Sequence, residues 1–165
     1  MKISWLKAIV ALPFNAVVTI PLVLVLFFDW PPLPPGIIFL GLALVLLAAG
    51  LSLAVWTMFL FASIGKGTLA PWNPTKRLVV EGPYAHVRNP MLAGVLAIIL
   101  AEALMLSSWA LFAWFCAFLA INTVYFKLSE EKGLEKRFGM EYVVYKRNVP
   151  MWIPRLRAWK KTGGE

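Results

Sequence analysis

Runs of apolar residues separated by short polar blocks dominate the pattern of this chain. Four such runs occupy residues 8–28, 36–64, 91–106 and 109–126, and the first carries no charge over 21 residues. Runs of this length are typical of helices that cross a bilayer, whose hydrocarbon core is about 30 Å thick. The pattern therefore predicts an all-α, polytopic membrane protein with four transmembrane helices, forming one domain over residues 1–165.

The third and fourth runs belong to one apolar stretch, residues 91–126, which must reverse its direction. A single helix of these 36 residues would reach about 54 Å at 1.5 Å per residue, well beyond the hydrocarbon core. A turn at Ser107 and Ser108 instead predicts a helical hairpin. This hairpin would return the two polar blocks that flank it, residues 82–90 and 127–154, to one membrane face.

The basic residues predict the orientation of the chain. Of sixteen Lys and Arg, two precede the first run, four lie in residues 65–90 and ten follow from Lys127 onward. The connections at residues 29–35 and 107–108 contain none. With four spans, every basic residue falls on one side, which the positive-inside rule assigns to the cytoplasm. Both termini and the parts at residues 65–90 and 127–165 are then cytoplasmic.

Composition excludes several other classes of function. The chain has a net charge of +8, which the predicted topology and attraction to anionic headgroups explain without a nucleic-acid partner. One histidine and one cysteine are too few for a multi-histidine zinc site, a cysteine-based metal site or a disulfide framework. Glycine-rich nucleotide-binding fingerprints are absent from the sequence. We therefore expect neither a metal nor a nucleic acid.

The first apolar run resembles a secretion signal because Lys2 and Lys7 precede it. It is longer than the usual 7–15-residue core of a signal, and no small-residue cleavage site closes it. We interpret it as a retained first helix.

The first polar block, residues 82–90, is predicted to be an ordered loop that ends at a helix start. Pro90 disfavours helix at Asn89 and suits the first position of the following helix, whose free N–H groups point to the interface. Arg88 can hold a carboxylate or phosphate at two points. An arginine that only sets topology or binds headgroups is an equal alternative, and for His86 alone a structural role is the more common one.

The second polar block begins with Glu130 and Glu131. Neighbouring residues of a helix point about 100° apart, so only one of the two can face a given pocket. Helical spacing then draws a mostly apolar stripe through Glu131, Leu134, Phe138, Tyr142 and Tyr145. Such a stripe more often packs on the protein or membrane surface than touches a cofactor. The structural alternative for the acids is an ion pair of little net value among many Lys and Arg.

Two features inside the apolar runs leave alternatives open. Gly50 and Ala54 lie one turn apart, which permits close helix contact, although ordinary small residues are an equal explanation. Glu102 is the only charged residue in the 91–126 stretch, and a carboxylate within a span is a functional candidate by default. Because it lies about 7.5 Å along a helix from Ser107, we favour a structural role at the outer interface.

Taken together, the polar blocks resemble the integral-membrane methyltransferases related to isoprenylcysteine carboxyl methyltransferase and the phospholipid N-methyltransferases. The family pattern G-x-Y-x-x-x-R-H-P-x-Y-x-G is matched at Gly82, Tyr84, Arg88, Pro90 and Gly94. The second pattern, E-E-x-x-L-x-x-x-F-G-x-x-Y-x-x-Y-x-x-x-V-P, is matched at Glu130, Glu131, Leu134, Phe138, Gly139, Tyr142, Tyr145, Val149 and Pro150. Asn89 stands at the motif histidine and Leu92 (or Met91) at the motif tyrosine; asparagine hydrogen-bonds but cannot titrate.

The resemblance implies S-adenosylmethionine as methyl donor, with S-adenosylhomocysteine as product. It also implies a lipid or other amphiphilic acceptor at the cytoplasmic interface, either a prenylcysteine-type carboxylate or a phospholipid amine. The sequence does not decide between these two, and it leaves open a small thiol or another apolar acceptor. The pocket is expected between the loop, the end of the fourth helix and the C-terminal segment. Glu131 and Arg88 are the expected catalytic residues. The expected cofactor-binding residues are Gly82, Tyr84, His86, Val87, Arg88, Asn89, Pro90, Glu130, Glu131 and Tyr142.

A different class of function is the alternative: a non-catalytic four-span membrane subunit or a small transporter. A transporter is expected to carry polar residues near the midplane of several spans or repeated halves. The polar residues Asn15, Asn122 and Thr123 are scattered, and no repeat is present. We therefore favour the membrane methyltransferase.

Overall fold

A computed structural model describes residues 10–29, 34–65 and 75–160. Every regular element in these ranges is helical, which confirms the all-α prediction. The elements are a π-type segment Val10–Thr19, α1 (Ile20–Phe28), α2 (Ile37–Ser63), a 3-10 turn Gly82–Ala85, α3 (Pro90–Met105), α4 (Trp109–Tyr125), a π-type segment Phe126–Glu130, α5 (Glu131–Phe138) and α6 (Met140–Asn148). Lys2, Lys7 and the predicted start of the first helix at residue 8 lie outside the described residues.

Two helices in the described ranges are long and apolar enough to cross a membrane, Ile37–Ser63 and Trp109–Phe138. Phe14–Phe28 and Pro90–Met105 are apolar but shorter. Large apolar side chains face outwards along these helices, as at Ile38, which is 81% exposed. So much exposed hydrocarbon suits lipid rather than water, and the chain is a membrane protein. The number of four spans stays a prediction.

The chain reverses between α3 and α4 at the paired serines, as predicted. Ser107 adopts a left-handed backbone with φ of 49°, and the Ser108 hydroxyl caps α4 by accepting the Leu111 N–H at 3.0 Å. The same hydroxyl donates to the carboxylate of Asp29, which also accepts from the Ala110 N–H at 3.4 Å. The end of α1 and the hairpin turn therefore lie at the same end of the molecule.

Helices α2 and α3 cross at a pair of glycines. A Cβ atom on Gly50 would lie 2.7 Å from the carbonyl oxygen of Gly94, and one on Gly94 would lie 2.9 Å from that of Gly50 and 3.3 Å from the nitrogen of Ala54. Real Cβ atoms essentially never show contacts below 3.0 Å, so the two carbonyl distances exclude a side chain at either glycine. The close-contact explanation for Gly50 and Ala54 is therefore confirmed, since only small residues let the two backbones approach this far.

The first helical segment packs on the hairpin through Ala16. Ala16 forms a buried cluster with Val95 and Ile99 of α3. A π-type bond would pair the Ala16 carbonyl with residue 21, which is a proline and has no N–H. The indole N–H of Trp114 donates to that carbonyl at 3.0 Å instead. A side chain of α4 thus satisfies a backbone group that the proline leaves open.

The fourth helix runs further than the sequence predicted. Its apolar run ends at residue 126, but the chain stays helical from Trp109 to Phe138. Gly133 lies inside this helix, and the break comes at Gly139, where φ is +57°. One glycine within a helix costs only about 1 kcal/mol, which packing can offset. The extension carries Glu131 beyond the apolar stretch on the same continuous helix.

Replacing Gly50 with alanine should destabilise the protein. The new methyl group would meet the Gly94 backbone and force α2 and α3 apart, at a cost of about 1–3 kcal/mol, as for other overpacked sites. Thermal unfolding in detergent measures this. Gly41→Ala is the matched control because nothing lies within 4 Å of its added Cβ. Equal unfolding temperatures for the two variants would contradict the crossing.

The predicted topology can be tested by labelling single cysteines in a Cys116→Ala background. Arg77 and Lys136 are exposed and should be labelled by an impermeant reagent only from the cytoplasmic side. Trp109, 80% exposed beside the hairpin turn, should be labelled only from the opposite side. Labelling of positions 77 and 136 from different sides would contradict the prediction that both polar blocks lie at one membrane face.

Candidate functional site

The loop of residues 82–90, called here the site loop, packs on the end of α2. Gly82 has φ of +58°, and a Cβ there would lie 3.3 Å from the ring of Trp56, so only glycine fits this turn without strain. The ring of Tyr84 stacks on that of Phe61 with a centroid distance of 5.3 Å. The loop ends where Pro90 begins α3, as the sequence predicted.

The C-terminal segment, residues 149–160, is hydrogen-bonded along the site loop. Three backbone N–H groups make these bonds: Arg88 to the Pro150 carbonyl at 2.9 Å, Arg155 to the His86 carbonyl at 3.0 Å and Trp159 to the Ala85 carbonyl at 2.9 Å. The hydroxyl of Tyr145 in α6 adds a fourth by donating to the Tyr84 carbonyl at 2.8 Å. The two polar blocks of the sequence thus form one unit.

The imidazole of His86 is held by the same segment. Its Nδ1 lies 2.8 Å from the carbonyl oxygen of Arg155. A carbonyl can only accept, so Nδ1 donates and, in the neutral ring, Nε2 carries the lone pair. The ring is half-buried. His86 therefore has both a structural contact and a nitrogen that can accept a proton.

Glu131 is the centre of a charged cluster. Its carboxylate is buried and its two oxygens meet different cations: Oε1 lies 2.5 Å from Nη1 of Arg88, and Oε2 contacts Nζ of Lys146. Lys146 also lies 3.1 Å from Oε1 of Glu135. The guanidinium of Arg88 sits 5.9 Å from the ring centre of Phe126. The predicted hairpin thus brings Arg88 and Glu131 into direct contact.

Three buried polar atoms of this region have no hydrogen-bond partner among the residues that the structure describes. They are Nε of Arg88, Nδ2 of Asn89 and the hydroxyl of Tyr142. Asn89 and Tyr142 are only 6% and 1% exposed. Buried donors without partners are rare because each costs about 1–3 kcal/mol. Such atoms, beside a carboxylate with two cations, mark this cluster as a candidate site for a polar ligand.

The pKa values of the surrounding side chains are also shifted. Burial raises the pKa of Tyr142 to about 12, although the neighbouring Arg88 lowers it in part. Burial likewise raises the pKa of Tyr84 and of Tyr145. Hydrogen bonds to Glu131 and Glu135 raise the pKa of Lys146. All three tyrosines therefore stay neutral donors at physiological pH.

The predicted site residues differ in how deeply they are buried. Those that are buried are Tyr84, Val87, Asn89, Pro90, Glu131 and Tyr142; His86 and Arg88 are half-buried, and Gly82 and Glu130 are exposed. This confirms that only one glutamate of the pair turns inward. The predicted stripe is buried against the protein, with Tyr142 and Tyr145 packed beside Leu134 and Phe138.

Two contacts of the charged cluster are not predicted by the sequence. Arg88, expected to orient a ligand carboxylate, is paired with Glu131 in the structure, and its role toward a ligand stays a prediction. Lys146 was not expected in the cluster at all. The signal that could have found it is its position four residues after Tyr142, on the same face of a helix.

Comparison with known proteins gives two matches. Residues 37–141, well over half of the chain, match the family model described as phospholipid methyltransferase. Methanethiol S-methyltransferase 2 of Bradyrhizobium diazoefficiens is 37% identical over 82 residues, which cover 48% of this chain and 29% of that protein. The chain therefore spans less than a third of the length of this curated relative.

Stability should fall as the pH rises from about 10 to about 12. Tyrosines of the unfolded chain release their protons near 10.0, whereas Tyr142 keeps its proton until about 12, so the folded state binds more protons in this window. Each such group contributes a slope of about 1.4 kcal/mol per pH unit. Tyr142→Phe should remove that much of the slope, measured by chemical unfolding in detergent. A parent-like slope in Tyr142→Phe would refute the assignment.

Proposed function

This chain belongs to the phospholipid methyltransferase family, and from that premise we propose that it transfers a methyl group from S-adenosylmethionine to an amphiphilic or lipid-like acceptor. The reaction would take place at the cytoplasmic face of a membrane that the chain crosses several times, with both termini in the cytoplasm. The observation that carries the proposal is the buried Glu131 carboxylate, held between Arg88 and Lys146 beside unpartnered polar atoms of the site loop and α6.

The sulfonium of the donor supplies an already activated methyl group, so the reaction asks little acid–base chemistry of the protein. The protein has chiefly to bind the two molecules, align them and exclude water. The site has features that suit these tasks. Its loop is held by five hydrogen bonds to α6 and the C-terminal segment, and most of its side chains are buried.

In this proposal Glu131 accepts hydrogen bonds from the ammonium or ribose of the donor. Arg88 orients Glu131, and its unpartnered Nε can reach the carboxylate of the donor. Nδ2 of Asn89 and the hydroxyl of Tyr142 are donors for the remaining polar groups. Asn89 can replace the motif histidine here, because a hydrogen-bonding role requires no titration.

The rest of the site loop would hold the adenosyl part. Tyr84 and His86 would contribute together with the loop backbone. Gly82, Val87 and Pro90 would shape the loop, because Gly82 lies in its turn, Val87 is buried in the core and Pro90 begins α3. Glu130, which is exposed, would lie at the rim of the site rather than inside it.

The acceptor decides whether a base is needed. A carboxylate acceptor is ionised at neutral pH and can attack directly, whereas an amine or thiol must first lose a proton. The Nε2 nitrogen of His86 is the candidate base for those acceptors. A small thiol is the second candidate substrate, because the relative from Bradyrhizobium diazoefficiens is named a methanethiol S-methyltransferase.

Donor binding is tested by calorimetry of the detergent-purified protein with S-adenosylhomocysteine. Glu131→Gln should weaken binding about 10- to 100-fold, because hydrogen bonds to charged groups contribute about 1.5–3 kcal/mol. Glu81→Gln is the matched control, since it removes the same charge at an exposed position beside the site loop and should bind like the parent. Equal affinity in both variants would remove Glu131 from the site, and no binding by the parent would refute the donor.

The acceptor is tested by incubating membranes that contain the protein with methyl-labelled donor. Label should appear in the lipid fraction; label on added methanethiol alone would favour the second candidate. His86→Gln should lower methylation of an amine or thiol about 100-fold, the usual contribution of a general base. It should lower methylation of a carboxylate far less, because there His86 contributes only to donor binding. Label in neither fraction would argue against both substrates.

A further inference from the structure

The two cations on Glu131 are held very differently. The Arg88 side chain is 10% exposed and that of Lys146 is 37% exposed. Arg88 is fixed by its backbone bond to Pro150 and by the ring of Phe126 beneath its guanidinium. Lys146 reaches the cluster on a flexible four-carbon stem from α6. One cation is therefore part of the rigid site loop, and the other can move.

We propose that Lys146 is a displaceable counter-ion, which occupies in the free protein the place on Glu131 that the ammonium group of the methyl donor takes on binding. This inference rests on the proposed function. It assigns the carboxylate of Glu131 to the ammonium group of the donor rather than to its ribose. It makes Lys146 a positioning residue, which holds the empty carboxylate in its binding orientation.

Electrostatics explains why one cation must leave. The cluster is balanced in the free protein, because the carboxylates of Glu131 and Glu135 match the cations of Arg88 and Lys146. A third cation on Glu131 would repel the other two in surroundings where charges are only weakly screened. Arg88 cannot withdraw without breaking the contacts of the site loop. Lys146 is therefore the cation that can move away from Glu131.

The structure also supplies the place to which Lys146 can withdraw. Its Nζ atom already lies 3.1 Å from Oε1 of Glu135, one helical turn beyond Glu131. The Glu135 side chain is 39% exposed, so Lys146 regains water while it keeps a carboxylate partner. Displacement therefore exchanges the Glu131 contact of a partly exposed lysine for water and for the Glu135 contact that the lysine already makes.

Calorimetry with S-adenosylhomocysteine tests this by ranking the affinities of the parent, Lys146→Met and Lys146→Arg. Lys146→Met removes the competing cation and should tighten binding about two- to fivefold. Lys146→Arg places a less easily displaced, forked cation on Glu131 and should weaken it. Lys136→Met, which removes an exposed lysine of α5, controls for the change in net charge and should bind like the parent. Weaker or unchanged binding by Lys146→Met, with a parent-like unfolding temperature, would overturn the proposal.

A second ligand separates the ammonium from the rest of the donor. Methylthioadenosine keeps the adenine and ribose but lacks the amino-acid group, so its affinity should be the same in the parent, Lys146→Met and Lys146→Arg. An equal gain for both ligands in Lys146→Met would assign Glu131 to the ribose and refute the ammonium. No binding of either ligand to the parent would refute the donor proposal and this inference with it. Parent binding without the predicted order would refute the role of Lys146 alone.

Discussion

The buried carboxylate of Glu131 is the constraint on which the arrangement of the polar half of this protein depends. Removing a carboxylate from water costs several kcal/mol, which only well-placed cations and hydrogen bonds offset. Its two cations come from far apart in the sequence, since Arg88 precedes α3 and Lys146 lies in α6. The charge balance therefore requires the hairpin, the extended fourth helix and the break at Gly139 to be correct at the same time.

The apolar half provides the rigid support that this arrangement needs. The glycine crossing of α2 and α3 fixes the helix that leads from the site loop. At the opposite end, Asp29 joins α1 to the hairpin turn through Ser108. The unbroken helix from Trp109 to Phe138 then carries Glu131 to the loop. Contacts between the apolar helices and at the opposite end of the molecule thereby support the geometry of the site.

A site built in this way suits binding and alignment more than proton transfer. The polar atoms of the site without a partner among the described residues are hydrogen-bond donors of Arg88, Asn89 and Tyr142. Asn89 stands where the family pattern has a histidine. A hydrogen-bond donor survives such a replacement, whereas a titrating group does not. The substitution therefore fits a methyltransferase whose donor brings its own activated group. His86, held at Nδ1 by the C-terminal segment, is the one imidazole available if the acceptor must lose a proton.

Local pattern was enough to predict the helices, the turn at the paired serines, the helix start at Pro90 and the inward turn of only one glutamate. These features follow from apolar runs and from the geometry of neighbouring residues, which the sequence determines by itself. The tertiary structure decided that Gly50 meets Gly94, that the helix continues through Gly133, and that Lys146 shares Glu131 with Arg88. Each of these depends on how closely distant segments approach in space, because backbone contact and charge compensation are properties of the packed molecule and leave no periodic signal along the chain.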